Sequence, residues 1–260
     1  MTYQSPSSFI IGGHPRSGTT LLAELCNSHP DIGVTFEYRS FRNIGKRYSE
    51  YRRHLRRDFV QRPILREPGK YRRIVKSFLL HYRFTRSVRK YADHQVNLQA
   101  VVRAYGDVFQ RSVVGDKWPA YIFNLQALTS LADLKRIIIY RDCRDVALSA
   151  VKMATTAWPD DRLGGQLDTV QKATMRWVEA MRQLEEYEDN VHTIRYETLV
   201  QQPQQTLTRL GEYLQVDPGE FQSQMIHSRS VGKHKGELSE EQLKQIETIA
   251  GSLLEKYGYL

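Results

Sequence analysis

Residues 13–20 read GHPRSGTT, and their types and spacing suit one task, the holding of a phosphate. The apolar run FII at 9–11 precedes them and a helical pattern begins at Thr19, so the turn lies at a helix N-terminus. Unpaired backbone amides and the helix dipole favour an anion there. Gly13 and Gly18 permit positive φ and close approach to phosphate oxygens, while Ser17, Thr19 and Thr20 add hydroxyl donors. The glycine spacing matches the G-x-x-x-x-G of nucleotide P-loops, yet Thr19 stands where such loops need lysine. Without that amine a β,γ-phosphate bridge is poorly served, whereas the forked cation of Arg16 suits a single phosphate. An ordinary tight turn of an α/β protein is the alternative. His14 reads as a packing residue of the loop.

Such a loop needs a sheet behind it. Short apolar runs at 9–11, 113–114, 136–140 and 191–194 have helical patterns between or after them, the alternation of a parallel sheet covered by helices. RIIIY at 136–140 is the clearest strand, branched and apolar toward both faces. A helix is predicted over 145–153. Residues 155–168 concentrate Pro, Gly and Asp and predict a loop long enough to serve as a lid. Ser239 with Gln242 has the spacing of a capping box, and Leu243, Ile246, Ile249, Leu253 and Leu254 follow at helical intervals. The expected fold is α/β, P-loop-like and three-layered, with a central parallel sheet. No repeat or linker divides the 260 residues, so one domain over 1–260 is expected, with a mainly helical insertion at about 42–105.

Charge singles out that insertion. From 39 to 90 there are eighteen lysines and arginines against three acids, a local +15 that leaves −6 for the rest of a +9 chain. No helix-turn-helix, zinc-finger or RNA-binding aromatic pattern accompanies these cations, so nucleic acid is not the expected partner. A solvated helical face and a docking site for an anion both remain open. The N-terminus lacks a charged start followed by a long apolar run, and no window approaches the ~20 apolar residues of a membrane span. Two cysteines, Cys26 and Cys143, make a disulfide framework improbable and favour a reducing cytoplasm. No ligand cluster calls for a metal.

A second constellation lies in RDCRDVALS at 141–149. Arg141 ends the strong strand, and Ser149 follows about two helical turns later. Ligands of open α/β sheets bind at strand C-termini, which places both residues to hold a second phosphate. The same residues also allow Asp142 or Asp145 to cap the helix, with Arg141 paired to it.

With both motifs in order, the chain resembles the sulfotransferases that use 3′-phosphoadenosine 5′-phosphosulfate (PAPS). PRSGTTLL is similar to that family's 5′-phosphosulfate loop, and RDCRDVALS to its 3′-phosphate motif. HPDIGVTFEYR, at 29–39, is similar to the stretch after the loop in protein-tyrosine sulfotransferases. There a glutamate is the catalytic base and a nearby arginine contacts the acceptor, positions that correspond to Glu37 and Arg39. Phe36 replaces the first glutamate of that family's pair, so acceptor recognition need not be shared. GDKWPAY at 115–121 is similar to the family's Lys-x-Pro segment, which implies a role for Lys117 at the bridging oxygen as the sulfur leaves. Pairing of Lys117 with Asp116 is the structural alternative. Tyr196, in IRYETLV, resembles a donor-adenosine contact. SRSVGKHKGEL resembles the tail segment that closes over the 3′-phosphate, with Ser230 and Lys233 as the contacts.

The resemblance implies a PAPS-dependent O-sulfotransferase without metal, releasing adenosine 3′,5′-bisphosphate. Arg16, Lys117 and the loop amides would stabilise the departing charge while Glu37 takes the acceptor proton. A tyrosyl phenol, a carbohydrate hydroxyl or a small-molecule alcohol would suit a glutamate base. The basic insertion slightly favours an acidic peptide or polysaccharide. The rival readings are a P-loop small-molecule kinase, disfavoured by Thr19, and a noncatalytic polyanion-binding protein.

Overall fold

The computed structural model describes residues 5–61, 64–66, 68–157 and 162–260. In chain order the elements are β1 (Ser7–Gly12), α1 (Thr19–Ser28), β2 (Ile32–Phe36), α2 (Tyr48–Gln61), α3 (Lys70–Tyr91), α4 (Leu98–Phe109), β3 (Val113–Lys117), α5 (Leu125–Thr129) and β4 (Leu134–Tyr140). There follow α6 (Cys143–Thr156), α7 (Arg162–Gly165), α8 (Val170–Glu186), β5 (His192–Arg195), α9 (Tyr196–Gln201), α10 (Pro203–Leu214) and α11 (Glu240–Lys256). The strands form one sheet in the order β2-β3-β1-β4-β5, every neighbouring pair parallel. This is the expected three-layer α/β fold.

Alternation along the strands builds the two outer layers. Phe9, Ile11, Ile137 and Ile139 face a core with Leu22 and Leu25 of α1 and Leu207 and Leu210 of α10. Ile10 and Ile138 face the opposite core, shared with Val101 of α4, Val146 of α6, Trp177 of α8 and Ile246 of α11. With both faces covered, the strands read as continuous apolar runs. Arg136 departs from that rule yet is buried. Its guanidinium donates to the carbonyls of Leu128 (3.0 Å) and Leu131 (2.7 Å), so the charge is hydrogen-bonded where it enters the core.

The insertion between β2 and β3 is helical, as expected, and is made of α2, α3 and α4. The capping box forms: Ser239 accepts from the Gln242 amide while the Gln242 side chain accepts from the Ser239 amide. Three boundaries differ from expectation. The helix after RIIIY spans Cys143–Thr156 rather than 145–153, because Asp142 caps it by accepting from the Arg144 amide (2.9 Å). The IGVTF strand β2 lies outside the runs expected to be strands. Within the proposed lid at 155–168, Thr155 and Thr156 finish α6 and 162–165 form a helical turn, while 158–161 lie outside the described residues. Both cysteines are buried free thiols, and burial pushes the Cys26 thiol up to about 12.

Close approach fixes the turn after β1. Gly13 has φ 151°, and a Cβ built on it would collide with the Ile139 carbonyl oxygen, a backbone atom of the neighbouring strand. Gly45, at φ 90°, has open space around it. Gly13→Ala is therefore expected to cost about 3 kcal/mol more than Gly45→Ala in urea unfolding, since overpacking adds to backbone strain only at Gly13. Equal costs at the two glycines would contradict this packing.

Candidate functional site

Strand register brings the chemistry to one edge. Across β2-β3-β1, Phe36 lies beside Lys117 and Lys117 beside Ile11, so Glu37 and the phosphate-loop candidate leave the sheet on either side of one lysine. The Trp118 amide donates to the Ile11 carbonyl (3.1 Å) and the Gly13 amide to the Pro119 carbonyl (3.0 Å), tying that turn to the segment after β3. On the other side of β1, β4 and β5 end at Tyr140 and Arg195, and Arg141 and Tyr196 follow them. All these residues stand at strand C-termini, where ligands of open α/β sheets bind.

The loop has the form of an anion cradle. Arg16 (φ 75°) and Gly18 (φ 96°) both adopt left-handed backbone, and α1 starts at Thr19 with no side-chain cap on its first amides. Ser17 is fully buried, and its hydroxyl has no hydrogen-bond partner among the described residues. Thr19 is buried and Thr20 half-buried. The His14 Nδ1–H donates to the Pro15 carbonyl (2.6 Å), and burial lowers its pKa to about 4, which keeps the ring neutral. A Cβ on Gly18 would run into the Tyr196 ring, so Tyr196 packs directly over the loop.

Arg16 and Arg141 join this cradle to α6. The Arg16 Nε donates to the Ser149 hydroxyl (3.0 Å), and an Arg141 Nη donates to the Arg16 carbonyl (3.4 Å). The Arg141 guanidinium lies 4.5 Å from the Tyr196 ring centroid and pairs with Asp145 (3.0 Å). Cap and ion pair, expected of one aspartate, are divided between two: Asp142 is the cap, Asp145 is the ion-pair partner, and Arg141 faces the loop. Its buried Nε has no partner among the described residues. Burial and the nearby Arg141 charge lower the Arg16 pKa, a sign of cations crowded together.

The C-terminal tail reaches this cluster through its backbone. Arg141 donates to the Ser230 carbonyl, and Asp145 accepts from the amides of Gly232 (2.8 Å) and His234 (2.9 Å) and from His234 Nδ1 (2.9 Å). Burial opposes ionisation of Asp145, but these donors with Arg141 hold it below the usual carboxylate range. Lys233 is exposed. Of the two tail residues expected here, Ser230 meets Arg141 by its carbonyl, and Lys233 lies between the two residues whose amides Asp145 holds.

At the other end Lys117, 2% exposed, donates to Glu37 Oε1 at 2.9 Å. The pairing of Lys117 with Asp116 does not form. Asp116 is instead a buried hub: it accepts from the Thr35 hydroxyl (2.7 Å), the Tyr38 amide (3.1 Å), the Arg39 amide (2.9 Å) and the Tyr121 hydroxyl (2.6 Å). Glu37 and Arg39 both have φ 58°, a conformation that non-glycine residues adopt at a cost of order 1–3 kcal/mol. The two amides held by Asp116 keep the chain in it. Arg39 pairs with Asp58 of α2 (3.0 Å), and its guanidinium lies 4.8 Å from the Trp118 ring centroid. The roles of Asp116 and Asp58 escape sequence reading because their partners lie far along the chain.

A cavity of about 760 Å³ opens elsewhere, beside Ile32 and Gly33 at the start of β2, with Glu24, Lys76 and Phe109 among its lining. It lies at the opposite strand ends from the loop. Among the described residues no cluster of His, Cys, Asp and Glu is arranged to hold a metal.

Comparison with known proteins gives the family and the fold. The model of the Sulfotransferase family matches residues 7–220. The sulfotransferase domain of the Synechococcus PCC 7002 olefin synthase is similar in structure at 17% identity, with TM-score 0.58, covering 96% of this chain and 97% of that one. The sulfotransferase domain of the curacin biosynthetic pathway is similar at 20% identity, with TM-score 0.52 and coverage of 96% and 98%. Sulfotransferase STF9 from Mycobacterium avium follows at 16% identity, TM-score 0.50, covering 97% of this chain and 77% of that one. At these identities the structures establish the fold. No curated protein matches this sequence.

Burial, only partly offset by its four donors, raises the Asp116 pKa from 3.8 to about 6. Between those values the unfolded chain has lost a proton that the native state keeps. Stability due to this group therefore falls as pH rises from about 4 to about 6, then stays flat. Asp116→Asn does not titrate. The wild-type unfolding free energy minus that of Asp116→Asn should fall by roughly 2–3 kcal/mol across the window in urea titrations at successive pH values. A difference independent of pH would contradict the assignment.

Proposed function

The chain belongs to the sulfotransferase family, and we propose that it moves a sulfuryl group from PAPS to an acceptor hydroxyl, with Glu37 as the base. The observation that carries this reading is the 2.9 Å Lys117–Glu37 pair at the foot of a loop with an unpartnered buried hydroxyl, Ser17. A proton acceptor and a cation for a leaving group are thus side by side at an anion cradle.

The residues fit the donor. The Ser17 hydroxyl, the uncapped amides from Gly18 onward and the Arg16 guanidinium would take its 5′-phosphosulfate, and Thr19 and Thr20 lie on the first turn of the same helix. The open Arg141 Nε and the Ser149 hydroxyl would take its 3′-phosphate, with Tyr196 beside them for the adenosine. Ser230 and Lys233 belong to the tail that would close over that phosphate. The donor supplies an activated sulfuryl group, whose bond to the phosphate oxygen breaks as the bond to the acceptor oxygen forms. Glu37 accepts the hydroxyl proton. Lys117, Arg16 and the loop amides hold the negative charge left on adenosine 3′,5′-bisphosphate, and being in place beforehand they do so without reorganisation. None of these roles calls on a metal.

Arg39 stands on the acceptor side, two residues beyond the base and against Trp118. Its partnership with Asp58 holds it ready for a polar or anionic acceptor group, so a hydroxyl carried by an acidic peptide or a polysaccharide suits this side of the cleft.

Glu37→Gln keeps the shape of the base and removes its proton affinity. With labelled donor and an acceptor-containing fraction of a cell extract, kcat should fall roughly 10²- to 10⁴-fold while the Kd for adenosine 3′,5′-bisphosphate changes less than about twofold. An active Glu37→Gln enzyme would remove Glu37 from this role.

A further inference from the structure

Helix α3 carries two apolar faces. The inner one, with Leu80, Phe84 and Val88, is buried in the core. The outer one, with Tyr71, Ile74, Val75, Phe78, Leu79 and Tyr82, recurs at three- and four-residue steps and so runs along one side of the helix. These side chains are between 39% (Val75) and 82% (Tyr71) exposed, and Val60 of α2 is 73% exposed. Among the described residues, the other exposed large apolar side chains are Met175 and Leu260 alone, so the apolar surface is concentrated here.

The same face is strongly cationic. Helix α3 contains eight lysines and arginines and no acid. Beside the stripe, a groove of about 550 Å³ is lined by Arg52 and Arg56 of α2 and by Arg86 and Arg89 of α3, together with Phe78 and Tyr82 of the stripe itself. Among the described residues no carboxylate lines it. The acids of α2 are engaged elsewhere, Glu50 with Lys46 (3.1 Å) and Asp58 with Arg39 (3.0 Å). His81, also in the lining, stacks on Phe59; burial and then the charges of Arg52 and Arg56 push its pKa down to about 4.

Three kinds of partner can be weighed against this face. A second copy would set cations against cations, and a nucleic acid would leave the stripe in water. Anionic headgroups above an acyl layer satisfy both components. Tyr71 and Tyr82 stand at the ends of the stripe, about 16 Å apart along the helix, and aliphatic and phenyl groups lie between them. Rings with polar tips favour headgroup depth, with apolar groups reaching deeper.

We propose that the α2–α3 face docks the protein on an anionic phospholipid surface, the stripe entering the headgroup–acyl boundary and the groove arginines holding lipid phosphates. Helix α3 lies on the bilayer; no helix among the described residues is long and apolar enough to cross one. Helix α2 also holds Asp58, the partner of Arg39, so the docked face and the acceptor side of the cleft share one element.

Sedimentation of the full chain with phosphatidylcholine vesicles, alone or with roughly one-third phosphatidylglycerol, tests this. The protein should sediment with the anionic vesicles and stay in solution with the neutral ones. The double variants Phe78→Ser/Leu79→Ser and Arg86→Glu/Arg89→Glu should each lower partitioning at least about tenfold, with thermal unfolding and binding of adenosine 3′,5′-bisphosphate unchanged. Failure to sediment with anionic vesicles, or sedimentation untouched by both variants, overturns the proposal. Binding to polyglutamate without binding to vesicles also overturns it and reassigns the face to an acidic protein partner.

Discussion

The arrangement at the strand ends depends on Asp116, a carboxylate with no access to solvent that accepts four hydrogen bonds at once. Two of its donors are the backbone amides of Tyr38 and Arg39, in a segment where Glu37 and Arg39 are both left-handed. A conformation costly to each residue alone persists because unmaking it would strand a buried carboxylate and its donors. The register of β3 then sets Lys117, the next residue, between β2 and β1, where it meets Glu37. One buried acid thus fixes the backbone that carries the candidate base, and its neighbour supplies the cation.

The other half of the cleft is organised around Arg141. Its carbonyl accepts from the Trp177 indole (2.9 Å), Asp145 pairs with its guanidinium, and its side chain lies against Tyr196. Held in this way it faces the loop carrying Arg16, so two guanidiniums crowd one small region. Such a concentration of cations attracts a polyanion and raises the energetic return on binding one. Asp145 also binds the 232–234 segment, which makes the arginine that faces the loop and the tail of the chain two parts of one hydrogen-bonded unit.

Legibility in the sequence followed the range of the interactions. The loop at 13–20, the helix after it and the capping box at Ser239 were readable because each is decided within a few residues. The parallel sheet was readable from alternating elements. Strand β2 was not singled out: its five residues, IGVTF, are all buried but form a short run interrupted by Gly33, which fits against Phe109. Asp116 could be seen only as a neighbour of Lys117, because its partners Thr35, Tyr38 and Arg39 lie 77 to 81 positions away. The basic insertion announced its charge but not its exposed apolar stripe, since a helix with two apolar faces looks in sequence like one with a broad buried face.

The central claim is that this edge of the sheet binds a nucleotide bearing phosphates at two separate positions, not a triphosphate. Calorimetry with adenosine 3′,5′-bisphosphate and with ATP plus Mg²⁺ tests it most directly. The account predicts tighter binding of the bisphosphate, unchanged by chelation of divalent ions. Tighter binding of ATP, dependent on Mg²⁺, would contradict it.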